Sequence, residues 1–319
     1  MKHDVDLPEP KEGQMLVEVR AASINPFDWK LRAGYLHQMM PVVFPVTAAG
    51  DFSGVVGGIG KGVDDSWIGK DVFGTAHVVF GGSGSLAEYV VANAANVASK
   101  PTGVDYREAA SLVLTGVSAV QALEETIALT KGQKILIAGG AGGVGSLAIQ
   151  YAKHLGATVA TTVRRSNFDF AKQLGADIVI DYEHQKVEHV IRDYDAVLDL
   201  VGGEAYITYL KVLKPGGIID SLAAISDGGL ASQYGVRAAF QVAQVTTKSL
   251  QHLASLVDSG VIKPKIDRVF TLEETREAFS HLEGRHPKGK VIVSMRGSGG
   301  KDSKKPWSGE SAQDRQCPI

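Results

Sequence analysis

The chain has 319 residues, too many for one compact core and suited to two domains. Its 33 Lys and Arg against 35 Asp and Glu leave a net charge of −2, which excludes a general attraction to nucleic acid or to an anionic membrane. The one cysteine, Cys317, stands third from the end and excludes an internal disulfide and any Cys-based metal cluster.

The opening MKHDVDLPEPKEG is charged and Pro-containing, without the apolar core of a signal peptide. The most apolar stretch, Ile135 to Ile149, has fifteen residues, five of them Gly, and is too short to span a bilayer. The terminal Cys-Pro-Ile is not a prenylation box, because the cysteine is third rather than fourth from the end. These features predict a cytoplasmic protein without membrane insertion.

Residues 14–21, QMLVEVRA, alternate as a strand does. The runs DFSGVV, KDVFGTA, LAEYVVA and NVAS follow as short strands between Gly-rich turns, so residues 1–105 read as a mostly β domain. A helical pattern covers 107–128, interrupted at Thr115-Gly116. Strands and helices then alternate: KILIAGG at 134–140, a helix from Val144 to His154, ATVATTV at 157–163, a helix from Asn167 to Gln173, and DIVID at 177–181. DAVLDLVG at 195–202 and GGIIDSL at 216–222 follow, each preceded by a short helix. Helices end in Leu-Gly-Ala at 155–157 and 174–176, where Gly suits the left-handed position past a helix end. Repeated units of this length imply a parallel sheet with right-handed crossovers over 106–260, closed by a helix at 247–259. Ser226 to Thr246, rich in small residues, is left open between pocket lining and dimer contact. Residues 261–295 return to strand texture and are expected to rejoin the first domain. The tail 296–319 is expected to be disordered.

Gly140-Ala141-Gly142-Gly143-Val144-Gly145 fits G-x-G-x-x-G between a buried strand and a helix, the context in which such a loop cradles a pyrophosphate. The alternative is a Gly-rich turn without a ligand. An NAD site wants a carboxylate at the end of the second strand. Here the strand runs into Arg164-Arg165-Ser166, twenty-four residues past Gly140. Two guanidiniums and a hydroxyl suit a 2′-phosphate, and NADPH is the favoured cofactor over a merely solvated basic turn.

The ordered set of segments resembles the medium-chain dehydrogenase/reductase superfamily, in its zinc-free quinone oxidoreductase and enone (2-alkenal) reductase branch. The residues that carry the resemblance are Ala22-Ser23-Ile24-Asn25-Pro26-Phe27-Asp28-Trp29-Lys30, Gly50-Asp51-Phe52-Ser53-Gly54-Val55-Val56, Gly69-Lys70-Asp71-Val72-Phe73-Gly74 and Leu86-Ala87-Glu88-Tyr89-Val90. Leu114-Thr115-Gly116, the glycine loop, Asp181-Tyr182 and Gly289-Lys290-Val291 continue the set. The implied fold is α/β: a GroES-like β-rich substrate domain (1–105 and 261–295) plus a Rossmann doubly wound parallel-sheet domain (106–260). Relatives usually carry a strand before the LPEPKEG segment, so the first domain is expected to lack an edge strand or the start to be misassigned. Zinc alcohol dehydrogenases of the superfamily carry Cys near Asn25 and His near Asp51, and both are absent here, as is the four-cysteine structural-zinc lobe. No metal site is therefore expected.

The implied activity is hydride transfer from NADPH to a quinone or an α,β-unsaturated carbonyl, with a small-molecule substrate and, by resemblance alone, a homodimer. Asn25 and Lys30 are the catalytic candidates, since the segment borders the nicotinamide pocket in the family. Lys30 is equally a surface lysine and Asn25 a turn residue before Pro26. The resemblance places Thr115 near the cofactor's reactive end, against the reading of a helix-bending hydroxyl. It places Tyr182 at the adenine phosphate, against that of a strand-end aromatic. Gly140, Gly142, Gly143, Val144, Gly145, Arg164, Arg165, Ser166 and Lys290 complete the cofactor set. Three rivals remain. One is a zinc alcohol dehydrogenase. Another is a short-chain reductase using Tyr182 and Lys186 at Tyr-x3-Lys spacing, although that pair follows a strand end. The third is a non-catalytic NADPH-binding sensor or structural protein.

Overall fold

The computed structural model describes residues 5–223, 228–284 and 287–295. The first strand, β1 (Gln14–Ile24), is long and twice irregular in register. The helix α1 (Pro26–Arg32) follows it immediately, with Pro26 at the first helical position and Asn25 as the N-cap. Next come β2 (Asp51–Ile59), β3 (Asp71–Thr75), β4 (Tyr89–Asn93) and β5 (Val97–Ser99).

The chain then enters α2 (Tyr106–Gln121), whose N-cap Asp105 forms a capping box with Glu108. The predicted interruption at Thr115-Gly116 is absent, and α2 runs through both residues. Gly116 marks a close approach instead: a Cβ there would lie 2.6 Å from Leu253 Cδ2. The irregularity falls later, in a π-type turn at Ala122–Thr126.

The alternating region gives β6 (Lys134–Ala138), α3 (Gly143–His154), β7 (Thr158–Val163), α4 (Phe168–Gln173), β8 (Ile178–Asp181), α5 (Val187–Val190), β9 (Tyr194–Asp199), α6 (Ala205–Lys211) and β10 (Leu213–Ser221). The segment left open by the sequence supplies α7 (Gly228–Gln233) and a further strand, β11 (Arg237–Phe240). Then follow α8 (Thr247–Asp258), β12 (Ile266–Thr271), α9 (Thr275–Glu283) and β13 (Lys290–Ser294). Strand texture over 261–295 thus overlooked α9, whose buried Ala278, Phe279 and Leu282 repeat at helical spacing.

Two sheets result. One has the order β12-β13-β1-β2-β3-β5, with β4 also on β1. The early part of β1 pairs with β4 and the late part with β13, so the C-terminal strand closes beside the N-terminal one. The second sheet is wholly parallel in the order β11-β10-β9-β6-β7-β8. That is the doubly wound order, and its reversal between β6 and β9 opens a crevice at the carboxyl ends of the strands. The central strands carry Ile135, Leu136, Ile137, Val197 and Leu198 fully buried, as expected of strands covered on both faces.

The helix α2 joins the two sheets. It packs on β1, β2, β3 and β13 and on α3. Ala110 is buried with Ala21 and Ile292 of the first sheet. No described helix is long and apolar enough to cross a membrane. The tail expected to be disordered, with Cys317, lies outside the described residues.

Candidate active site

The glycine loop leaves β6 and becomes the start of α3, with Gly142 as the N-cap. Its glycines differ in what surrounds them. A Cβ on Gly140 would lie 2.0 Å from Thr161 Oγ1, and one on Gly145 would lie 2.3 Å from Gly139 O. Those two let strand, turn and helix pack. At Gly142 the nearest atom to such a Cβ is Gly139 O at 3.5 Å, an ordinary contact, so this position is not packed as tightly as the other two. A cradle of this shape at a helix N-terminus fits a pyrophosphate.

The far wall of the loop comes from the other sheet. Gly289 N donates to Ala141 O at 2.8 Å, and Gly142 and Gly289 form an isolated parallel bridge. Lys290 follows and is 5% exposed. Its stem lies under the loop: a Cβ on Gly143 would sit 2.8 Å from Lys290 Cδ and 3.0 Å from Thr115 Cγ2. The Thr115 hydroxyl turns back onto its own helix, donating to Ser111 O at 2.8 Å, so its methyl faces the loop.

The Lys290 ammonium reaches past the loop to the end of β1. It donates to Ile24 O at 2.7 Å and to Asn25 Oδ1 at 2.5 Å. The Asn25 amide in turn donates through Nδ2 to Asp51 Oδ2 at 2.8 Å. The same carboxylate oxygen accepts from Leu114 N of α2 at 3.3 Å. The Asn25 backbone N–H donates to Asp28 Oδ2 at 2.6 Å, and His77 Nε2 stands 3.2 Å from Asp28 Oδ1. All five side chains are buried.

Burial dominates the electrostatics. It pushes the Asp51 carboxyl up to about 6, against the lowering effects of Lys290 and the Asn25 hydrogen bond. It pushes the Lys290 ammonium down, while Asp51 and Asp28 hold it up.

Lys30 is half-buried in the last turn of α1, five residues beyond the Asn25 cap. At the other end of the loop, Arg164 follows β7 and pairs with Glu183 at 3.0 Å. The neighbouring strand thus brings a carboxylate to the predicted phosphate-binding turn. Arg165 and Ser166 are exposed, the former with its guanidinium 4.8 Å over the Phe168 ring. Tyr182 is 48% exposed, and its N–H donates to Val163 O beside Arg164. Asp181, Glu183 and His184 form the one group of three potential metal ligands among the described residues, two of them exposed.

A model described as alcohol dehydrogenase GroES-like domain matches residues 11–102, and one described as zinc-binding dehydrogenase matches 174–293. The chain is 36% identical over 302 residues to 2-methylene-furan-3-one reductase of Solanum lycopersicum, covering 92% of this chain and 74% of that one. It is 35% identical over 301 residues to a chloroplastic NADPH-dependent alkenal/one oxidoreductase of Arabidopsis thaliana, at 92% and 75% coverage. The solved quinone oxidoreductase of Coxiella burnetii superposes with a TM-score of 0.85 at 36% identity, covering 92% of this chain and 94% of that one. The chain belongs to the medium-chain dehydrogenase/reductase superfamily, in its quinone oxidoreductase and enone reductase branch.

Asn25, Asp28, Asp51 and His77 lie within the residues matched by the GroES-like model, whereas the loop and Arg164 follow strands of the parallel sheet. Sequence reasoning singled out Asn25 and Lys290 separately and did not connect them. Asp28 was legible as the third helical residue of an Asn-x-x-Asp capping box. His77 carried no local signal.

Proposed function

We propose that the protein is an NADPH-dependent, zinc-independent reductase that transfers hydride to a quinone or an α,β-unsaturated carbonyl. The observation that carries this reading is the glycine loop at the start of α3, whose Gly143 lies on the stem of Lys290, which is itself bonded to the buried Asn25. Gly140, Gly142, Gly143, Val144 and Gly145 would hold the pyrophosphate. Arg164, Arg165 and Ser166 would hold the 2′-phosphate, with Tyr182 beside the adenosine and Thr115 under the reactive end. NADPH, when bound, supplies the hydride.

The residues fit a zinc ion poorly. The Asn25 oxygen already accepts from an ammonium at 2.5 Å, and a divalent cation beside Lys290 would meet like charge. Polarisation of the substrate carbonyl therefore falls to N–H donors. Hydride addition at the β-carbon of an enone places negative charge on the carbonyl oxygen. Asn25 and the Lys30 ammonium are the donors to that oxygen, and Lys30 or water returns a proton to the α-carbon. A quinone takes hydride and proton to become the hydroquinone. The relatives named for alkenal/one and furanone reduction support the enone, and the Coxiella burnetii neighbour supports the quinone.

We also read the assembly as a homodimer. Among the described residues β11 is the outermost strand at one side of the parallel sheet, and it exposes Phe240 at 44%. Sedimentation of the full chain tests this. Oxidation of NADPH by a short 2-alkenal and by a 1,4-quinone tests the activity. Binding without oxidation would favour the non-catalytic alternative.

A further inference from the structure

The Asn25 amide has its oxygen on a cation and its nitrogen on an anion. Lys290 Nζ donates to Oδ1 at 2.5 Å, and Nδ2 donates to Asp51 at 2.8 Å. The charges dictate this orientation. Turned around, the amide N–H groups would face an ammonium and its oxygen a carboxylate. The two holding groups come from opposite ends of the chain, Asp51 at the start of β2 and Lys290 at the start of β13.

Both are anchored elsewhere. Asp51 also accepts from Leu114 N, and Lys290 also donates to Ile24 O while its stem fills the space beneath Gly143. The Asn25 backbone is fixed independently by Asp28, against which His77 stands. A neutral amide has two N–H donors and one carbonyl oxygen. With the oxygen and one N–H committed, a single N–H is left to offer.

We propose that Lys290 and Asp51 are positioning residues that clamp the Asn25 amide so that it presents a hydrogen-bond donor, and never its oxygen, to the reacting carbonyl compound. The proposal rests on the reductase reading for the role of Asn25. Neither Lys290 nor Asp51 is given contact with substrate. The clamp also ties donor placement to the phosphate loop, because the stem of Lys290 supports Gly143.

A thermodynamic cycle on the full-length protein tests this. Wild type, N25A, K290M and N25A/K290M are compared for kcat and KM with a short 2-alkenal and a 1,4-quinone, and for NADPH affinity by fluorescence titration without acceptor. The Met side chain keeps the stem under Gly143 and removes the ammonium. K290M is expected to lower kcat on the order of 10²-fold, the scale of a misplaced catalytic group, with NADPH affinity within about threefold of wild type. In the N25A background the same substitution is expected to change kcat less than about threefold, because its target is gone.

An equal loss in both backgrounds would overturn the clamp, as would an unchanged kcat in K290M. If K290M does not fold, D51N replaces it in the same cycle and is read by the same criteria. Failure of the reductase reading looks different. Wild type would then bind NADPH and turn over neither acceptor, and the melting temperature of N25A and K290M with and without NADPH would be the remaining readout. A ligand-induced stabilisation lost in K290M yet kept in N25A would show that Lys290 acts on the cofactor rather than through Asn25, and would overturn the clamp.

Discussion

Lys290 and Asn25 are 265 positions apart and share a 2.5 Å hydrogen bond in the protein interior. The contact exists because β13 returns to pair with the end of β1, matching Ile24 with Val291. It links the glycine loop proposed to receive phosphates to the residue proposed to meet the substrate.

The partner on the other side of Asn25 is expected to make this site pH-dependent. Burial holds Asp51 up to about 6, with Lys290 and Asp28 as the charged groups facing it. Above that value the carboxylate is ionised and holds the Asn25 N–H. Below it the protonated carboxyl is a weaker acceptor. We predict that kcat falls as pH drops through about 6, and that D51N lowers kcat and removes this inflection. A steady-state pH profile of both proteins checks it.

The glycines of the loop separate fold from ligand. A methyl at Gly145 collides with Gly139 O at 2.3 Å and Gly140 Cα at 2.7 Å. G145A is expected to cost about 1–3 kcal/mol of stability, the usual penalty of overpacking. A methyl at Gly142 has room within the protein, so G142A should melt within a few degrees of wild type while losing most NADPH affinity. Thermal melting beside fluorescence titration distinguishes the two.

Cofactor choice is proposed to rest on the turn after β7. Replacing both Arg164 and Arg165 by Ala should weaken NADPH binding at least about tenfold and leave NADH almost unchanged, since charge-assisted bonds to the 2′-phosphate are lost. Glu183 competes for Arg164 at 3.0 Å. E183Q is therefore expected to tighten NADPH binding a few-fold, the scale of an exposed ion pair. Paired titrations with the two cofactors measure both effects.

Asp220 is a buried carboxylate in β10 whose two oxygens have no hydrogen-bond partner among the described residues, and burial lifts it to about 6. A carboxyl raised in the folded state favours folding where it is protonated. Its contribution is complete below the unfolded value near 4, declines between about 4 and 6, and becomes a full penalty above 6. D220V is expected to stabilise the protein by about 1–3 kcal/mol at pH 7.5, with the gain shrinking towards pH 5. Urea unfolding at the two pH values reads this directly.

Local signals carried much of the fold. The alternation of strands and helices from Lys134 to Ser221 was legible because each unit has its own period, caps and glycine stop. Gly116 misled as a helix breaker, because the space it vacates is filled by Leu253, 137 positions away. β11 and α9 were missed: the first has few aliphatic residues, and the second lies among strands. The loop was legible as a string with context. The Asn25–Lys290–Asp51 cluster was not, since its geometry depends on the end of β1 meeting the starts of β2 and β13, which no local spacing encodes.

The most direct measurement is the oxidation of NADPH by the purified full chain in the presence of a short 2-alkenal and, separately, a 1,4-quinone. The account predicts acceptor-dependent oxidation that survives exhaustive chelation of divalent metals and drops sharply in N25A. NADPH binding with no oxidation by either acceptor, or activity that disappears on chelation and returns with zinc, would contradict it.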